Sequence, residues 1–145
     1  MRTLSYANLH RDRSHECENL VLVCIDFRFH KEITDLLRYA GYREFDLLGL
    51  PGGSKAVTDE ATRGVVFKAL DIVIPAHKCK RVIVVDHIDC RAYGGSEAFT
   101  SPAEEEVAHA EDLRAASEII REKYGSLEVI TCYADWSGVK VIEGG

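Results

Sequence analysis

The chain has 145 residues, of which 46% are hydrophobic, and its 18 basic and 24 acidic side chains give a net charge of −6. This length fits one domain, and this composition is typical of a globular protein and not of a disordered one. The acidic balance argues against a nucleic-acid partner, and no apolar run approaches the ~20 residues that span a bilayer, so we also expect no membrane partner.

The start of the chain differs in composition from the rest. Residues 1–18 are rich in charge and histidine, and we expect them to form a polar N-terminal arm. Residues 19–145 contain no linker-like or repetitive segment, which predicts a single domain over that range.

Strand and helix patterns alternate along this domain. The apolar, β-branched run at 20–25 is typical of a strand buried on both faces. Ser101, Pro102 and Glu104 form a helix-start pattern, with a capping residue, a proline at the first helical position and an acid at the third. The predicted elements are, in chain order, a strand at 20–25, a helix at 30–40, a strand at 45–50, a helix at 59–74, a strand at 82–85, a helix at 102–124, a strand at 127–133 and a short strand at 139–142.

This alternation predicts the fold class. Right-handed strand-helix-strand crossovers build a parallel sheet with helices on both faces. We therefore expect a three-layer α/β fold with a mainly parallel four-stranded sheet and a short antiparallel edge strand. Ligands of such sheets bind beyond the carboxyl ends of the strands.

Three metal-ligand side chains follow two of the predicted strands. Cys24 ends the first strand, and His87 and Cys90 follow the third. If these strands are neighbours, two thiolates and one imidazole meet at one edge of the sheet, which is the donor set of a catalytic zinc site with an open fourth position. Each residue taken alone is equally typical of a buried strand or strand end.

The spacing Cys24-x-Asp26-x-Arg28, followed by His87-x-x-Cys90, resembles the zinc motif of the β-class carbonic anhydrases, and most of all a short, divergent branch of that family. The resemblance implies a lyase in which Cys24, His87 and Cys90 bind Zn²⁺, and Asp26 and Arg28 form a catalytic pair. It also implies a homodimer or higher homo-oligomer. The sequence departs from the family pattern at Phe27, where serine is usual, and at Arg91, where glycine is common.

The expected chemistry is reversible hydration of carbon dioxide to bicarbonate by zinc-bound hydroxide. Paired with Arg28, Asp26 would accept a hydrogen bond from the hydroxide; released from Arg28, it could become a fourth zinc ligand and block the site. Two thiolates donate more charge to zinc than imidazoles do, so we expect activity to rise with pH above neutrality.

A glycine turn after the second strand is a weaker candidate for substrate binding. Gly52, Gly53 and Ser54 could present backbone N–H groups to a bicarbonate oxygen, or they could simply form a tight turn.

Other polar residues are expected to have ordinary roles. His10, His30, His77 and His109 are interpreted as surface or helix residues, one of which could shuttle protons. Asp89 could support a ligand or a partner, or lie in solvent, and Arg91 is expected to form a surface salt bridge. The acidic run at residues 104–106 is expected only to favour the helix dipole.

The same residues are compatible with two other functions. The same zinc site could hydrolyse a related small molecule such as carbonyl sulfide or carbon disulfide. Alternatively, the protein could be a zinc-binding regulatory or structural module without turnover. An odd count of five cysteines, with no apolar export segment near the start, favours a cytoplasmic protein over a disulfide-linked one.

Overall fold

The computed structural model describes residues 14–144. Most of the predicted N-terminal arm, including His10, lies outside the described residues. The described chain forms one five-stranded sheet with four α-helices and two 3₁₀ turns. The strands are β1 (Asn19–Val23), β2 (Asp46–Gly49), β3 (Arg81–His87), β4 (Glu128–Asp135) and β5 (Gly138–Glu143). The helices are α1 (Phe27–Tyr39), α2 (Lys55–Thr58), α3 (Glu60–His77) and α4 (Pro102–Lys123), and the 3₁₀ turns are Arg91–Tyr93 and Ser96–Ala98.

The sheet has the predicted topology. Its strand order is β2-β1-β3-β4-β5, with the first four strands parallel and β5 antiparallel to β4. The predicted α/β class, the mainly parallel sheet and the antiparallel edge strand are therefore confirmed. β1 and β3 are direct neighbours, with Val23 opposite Val85, so the segments that follow them lie side by side.

The sheet is buried because helices cover both of its faces. On one face, Leu70 of α3 and Leu113 of α4 are fully buried against Val84 of β3. On the other face, Ile33 of α1 packs in a second apolar cluster with Val21. Burial on both sides explains the continuous apolar sequences of β1 and β3.

Several boundaries differ from the sequence prediction. α1 begins at Phe27, because the Asp26 carboxylate accepts a hydrogen bond from the Arg28 N–H and caps the helix. α3 continues past Pro75 to His77, and the short helix α2 was not predicted. β3 extends through His87, so this histidine is the last residue of the strand, whereas the sequence predicted that it follows the strand.

The predicted start of α4 is confirmed. The Ser101 hydroxyl accepts a hydrogen bond from the Glu104 N–H at 3.2 Å, with Pro102 at the first helical position. The Glu104 carboxylate in turn accepts the N–H of Thr100 and not that of Ser101. Over residues 14–144, no helix is long and apolar enough to cross a membrane.

Candidate metal centre

The predicted meeting of two cysteines and a histidine is present at the carboxyl edge of the sheet. Cys24 directly follows β1, His87 ends β3, and Cys90 comes three residues later. Their potential ligand atoms all lie within 4.8 Å of one another, and all three side chains are buried. We call these three residues the Cys-His-Cys cluster.

The two thiols of the cluster differ in acidity. The Cys24 and Cys90 sulfurs are 3.8 Å apart, and the Gly52 N–H donates to the Cys24 sulfur at 3.3 Å. Hydrogen bonding from Cys90, with further donation from the Gly52 N–H, lowers the pKa of Cys24 to about 4. The same contact with Cys24, together with burial, raises the pKa of Cys90 above its ordinary value. Cys24 is therefore the more acidic of the two thiols.

The imidazole of His87 is oriented as a metal ligand would be. Its Nδ1 lies 2.7 Å from the Ile88 carbonyl oxygen, which can only accept, so Nδ1 carries the proton and Nε2 has a free lone pair. Among the described residues, Nε2 has no hydrogen-bond partner although it is buried. The ring is held in place by stacking on Phe29 of α1, with ring centroids 4.4 Å apart.

Asp26 and Arg28 form a close ion pair beside the cluster. The Arg28 guanidinium donates to both carboxylate oxygens of Asp26, through Nε at 3.0 and 3.1 Å and through Nη2 at 2.6 Å. This pairing lowers the pKa of Asp26 to about 2. Asp26 Oδ2 lies 4.0 Å from His87 Nε2, so the carboxylate is close to the cluster but is held by the arginine.

A cavity of about 460 Å³ opens beside the cluster and the ion pair. Phe27 and Arg91, the two departures from the family pattern, both line it. Phe27 is 85% exposed, and Arg91 forms the expected surface salt bridge, with Glu97 at 2.6 Å. The residues that line the cavity are Cys24, Ile25, Asp26, Phe27, Arg28, Pro51, Asp89, Arg91 and Ala92.

The glycine turn faces the protein interior. The N–H groups of Gly52, Gly53 and Ser54 donate to the Cys24 sulfur, the Leu50 carbonyl and the Asp86 carboxylate, respectively. Gly53 has a φ of +56°, and an added Cβ would lie 2.5 Å from Asp86 Oδ1, so only glycine fits there. The predicted contact of this turn with bicarbonate stays a prediction, and the turn is not part of the substrate site proposed below.

A buried polar network behind the cluster was missed by sequence reasoning. The Asp86 carboxylate accepts hydrogen bonds from the Ser54 hydroxyl at 2.6 Å and from the Tyr93 hydroxyl at 3.3 Å, and it lies 3.0 Å from His109 Nδ1. His109 lies in α4, one of the two expected placements, but it is 1% exposed and is therefore not a surface residue. The available signal was Asp86 itself, a charged residue directly after the apolar run of β3.

Glu105 is a second correction. The acidic run at residues 104–106 was expected to act only on the helix dipole, yet Glu105 is fully buried. Its carboxylate accepts the Asp89 N–H at 2.6 Å and the Ser96 hydroxyl at 2.7 Å. Nothing in a run of three acids at a helix start marks the middle one as buried.

Comparisons with known proteins agree with this fold. A sequence profile of the family described as "Putative carbonic anhydrase" matches residues 14–142. An uncharacterized protein of Rickettsia conorii is 32% identical over 140 residues, covering 92% of this chain and 75% of the relative. An uncharacterized protein of Rickettsia bellii is 31% identical over 137 residues, covering 90% of this chain and 84% of the relative.

Solved structures share the fold at low sequence identity. The carbonic anhydrase of Streptococcus mutans has a TM-score of 0.60 at 17% identity, covering 96% of this chain and 88% of that one. A β-carbonic anhydrase of Trichomonas vaginalis has a TM-score of 0.61 at 10% identity, covering 99% and 89%. The match of the family profile over residues 14–142, with the β-carbonic anhydrase fold, shows that this chain belongs to the carbonic anhydrase family that the profile describes.

Proposed function

We propose that this protein is a zinc-dependent carbonic anhydrase, a lyase that reversibly hydrates carbon dioxide to bicarbonate. The observation that carries the proposal is the Cys-His-Cys cluster beside a cavity, with Asp26 held by Arg28 next to it. Membership of the family supports the same activity.

The donor set of the cluster fits zinc. Thiolate sulfur and imidazole nitrogen are ligands that zinc prefers, and three protein ligands with an open position are typical of a catalytic zinc site. His87 supports this fit most directly, because its lone pair on Nε2 is buried and has no other partner in the described part of the chain. Burial of an imidazole nitrogen without a partner costs free energy, which a bound metal would recover.

Zinc held there would supply a Lewis acid that makes water nucleophilic near neutral pH. The protein's own residues would orient the reactants. Asp26, fixed by Arg28, presents carboxylate oxygens at the cavity wall, where they can accept a hydrogen bond from the attacking water and fix its direction. Ile25, Pro51 and Ala92 give the cavity an apolar wall suited to carbon dioxide.

A stopped-flow hydration assay on the zinc-loaded chain tests this function. We expect hydration that rises with pH above neutrality and is lost in Cys90→Ser. Cys132→Ser is the matched control, because Cys132 is also a buried thiol but lies in β4, away from the cluster. Its activity should equal that of the wild type.

The same assay separates the other functions that the site permits. Zinc binding without turnover of any substrate would indicate a regulatory or structural module. Sulfide release from carbonyl sulfide or carbon disulfide, without hydration of carbon dioxide, would indicate a hydrolase. A chain that binds no zinc would contradict all three.

We also propose that the protein forms a homodimer or a higher homo-oligomer in the cytoplasm. Tyr39 of α1 and Val141 of β5, which are 93% and 60% exposed, line an apolar cavity of about 420 Å³. Solved structures of similar fold include β-carbonic anhydrases of Sordaria macrospora that are described as tetrameric. Light scattering on the purified chain would contradict this part of the proposal if it gave the mass of a monomer at all concentrations.

The odd count of five cysteines supports the proposed cytoplasmic location, because unpaired cysteines are typical of a reducing compartment.

A further inference from the structure

Arg28 is held by two carboxylates and not only by Asp26. While Nε and Nη2 bind Asp26, Nη1 donates to Asp89 Oδ2 at 2.9 Å and Nη2 also donates to the Asp89 carbonyl at 3.1 Å. All three guanidinium nitrogens therefore have acceptors, on two sides of the planar group. This matters because Arg28 is about one-third exposed and, if bound only to Asp26, could move together with it.

Asp89 adopts a backbone conformation that needs support. Its φ is +56°, in the left-handed region that residues other than glycine rarely enter. Two contacts support it there: its N–H donates to Glu105, and its second carboxylate oxygen accepts the Ser96 N–H at 3.0 Å. This conformation turns both the side chain and the carbonyl of Asp89 towards Arg28.

Glu105 connects this arrangement to the rigid helix α4. Its fully buried carboxylate binds the Asp89 N–H through one oxygen and the Ser96 hydroxyl through the other. Among the described residues, no cation forms a salt bridge with Glu105. Burying a carboxylate with only neutral donors costs stability, so its position indicates a role beyond packing.

We propose that Asp89 and Glu105 are positioning residues that hold Arg28 on Asp26 and thereby keep Asp26 away from the Cys-His-Cys cluster. The inference rests on the proposed function, since it concerns the open position of the metal site. With Asp26 Oδ2 only 4.0 Å from His87 Nε2, a small displacement of the carboxylate would bring it into ligand range. Glu105 acts through Asp89 and Arg28 and does not itself touch the cluster.

Thiocyanate binding to the full chain loaded with Co²⁺ tests this inference, because visible absorption of cobalt reports on its ligands. In the wild type, we expect thiocyanate to change the spectrum saturably. In Glu105→Ala, Asp89 loses the contact that holds it against Arg28, and in Asp89→Gly the carboxylate that binds Arg28 is gone. In both variants the thiocyanate affinity should fall about tenfold or more, because Asp26 then competes for the metal. Asp89→Gly removes the carboxylate and relieves the left-handed backbone, so it also serves if Glu105→Ala does not fold.

Two further variants distinguish positioning from a general structural effect. Glu105→Gln should stay close to the wild type, because its amide oxygen can accept the Asp89 N–H and its amide NH2 can donate to the Ser96 hydroxyl oxygen. In an Asp26→Ala background, Glu105→Ala should have no further effect on thiocyanate affinity. Glu106→Ala is the matched control, since Glu106 is the next acid along α4 and pairs with Lys140 at 2.8 Å.

Wild-type affinity in both Glu105→Ala and Asp89→Gly would overturn the inference, as would a loss that persists fully in the Asp26→Ala background. In either case, the proposed function would stand. A wild-type chain that binds no Co²⁺, or whose spectrum does not respond to thiocyanate, would overturn the proposed metal site and this inference together.

Discussion

Replacing Arg28 with alanine should make the protein bind zinc more tightly and hydrate carbon dioxide more slowly. In the structure, the guanidinium holds Asp26 through both carboxylate oxygens, at 2.6 to 3.1 Å. Asp26 cannot leave this pair for the metal without losing those contacts. Without the guanidinium, only the helix-capping hydrogen bond from the N–H of residue 28 opposes that movement, so we expect the carboxylate to become a fourth ligand and displace water from the site.

The expected magnitude follows from the pKa of Asp26. Hydrogen bonding from Arg28 lowers that pKa to about 2, from an ordinary value of 3.8. At about 1.4 kcal/mol for each tenfold change in the protonation equilibrium, the contacts with Arg28, its backbone N–H included, stabilise the carboxylate by about 2 kcal/mol. The side chain of Asp26 is only 15% exposed, so solvent weakens this interaction little. Removing the competition should therefore raise the apparent zinc affinity by up to roughly 30-fold.

Competition with a chromophoric zinc chelator at neutral pH measures this affinity, and the hydration assay measures the loss of activity. Arg38→Ala is the control, because Arg38 is on the same helix but is 53% exposed and lies 3.8 Å from its partner Asp35. Its zinc affinity should not change. Equal or weaker zinc binding by Arg28→Ala, or unchanged hydration, would refute the argument.

Three further predictions concern stability and its dependence on pH. His109→Ala leaves the buried Asp86 carboxylate without one of its contacts and opens a cavity, so urea unfolding should show a loss of about 3 kcal/mol; a loss below ~1 kcal/mol would contradict the buried network. Ser101→Ala removes the cap of α4 and should lower stability by about 1 kcal/mol and the Tm by about 3 °C, measured by calorimetry. The hydroxyl and N–H of Ser137 hold the pKa of Asp135 at about 2, below its ordinary 3.8, so its contribution is complete above pH ~4 and is lost as the pH falls towards 2. The stability difference between the wild type and Asp135→Asn should therefore be present at neutral pH, shrink as the pH falls towards 2 and vanish below it, and a difference that stays constant would contradict this assignment.

The cluster could be predicted because its signals are local and combine simply. Cys24 and the pair His87 and Cys90 each follow an apolar run, and the run at 82–85 lies well within β3. Parallel connections bring the carboxyl ends of β1 and β3 to the same edge. The pair of Asp26 with Arg28 was expected from the family resemblance, and the structure places both residues at the start of α1, three residues before the predicted helix.

The supporting residues could not be predicted, because their burial depends on how distant elements pack. Glu105 and His109 lie in a helix whose sequence has no clear apolar stripe, so the sequence does not show which of its polar residues face the core. The left-handed backbone of Asp89 has no sequence signal either. The predicted end of α3 at residue 74 was too early: the helix continues through Pro75 to His77, although proline has no N–H to donate to the preceding turn.

X-ray absorption at the zinc edge tests the central claim most directly, because it counts the atoms bound to the metal. We expect one zinc ion per chain, with two sulfur ligands at ~2.3 Å and a histidine nitrogen at ~2.0 Å. Loss of one sulfur in Cys90→Ser, and no change in Cys132→Ser, would assign the signal to the cluster. A zinc shell made only of nitrogen and oxygen, or one that Cys90→Ser leaves unchanged, would contradict the account.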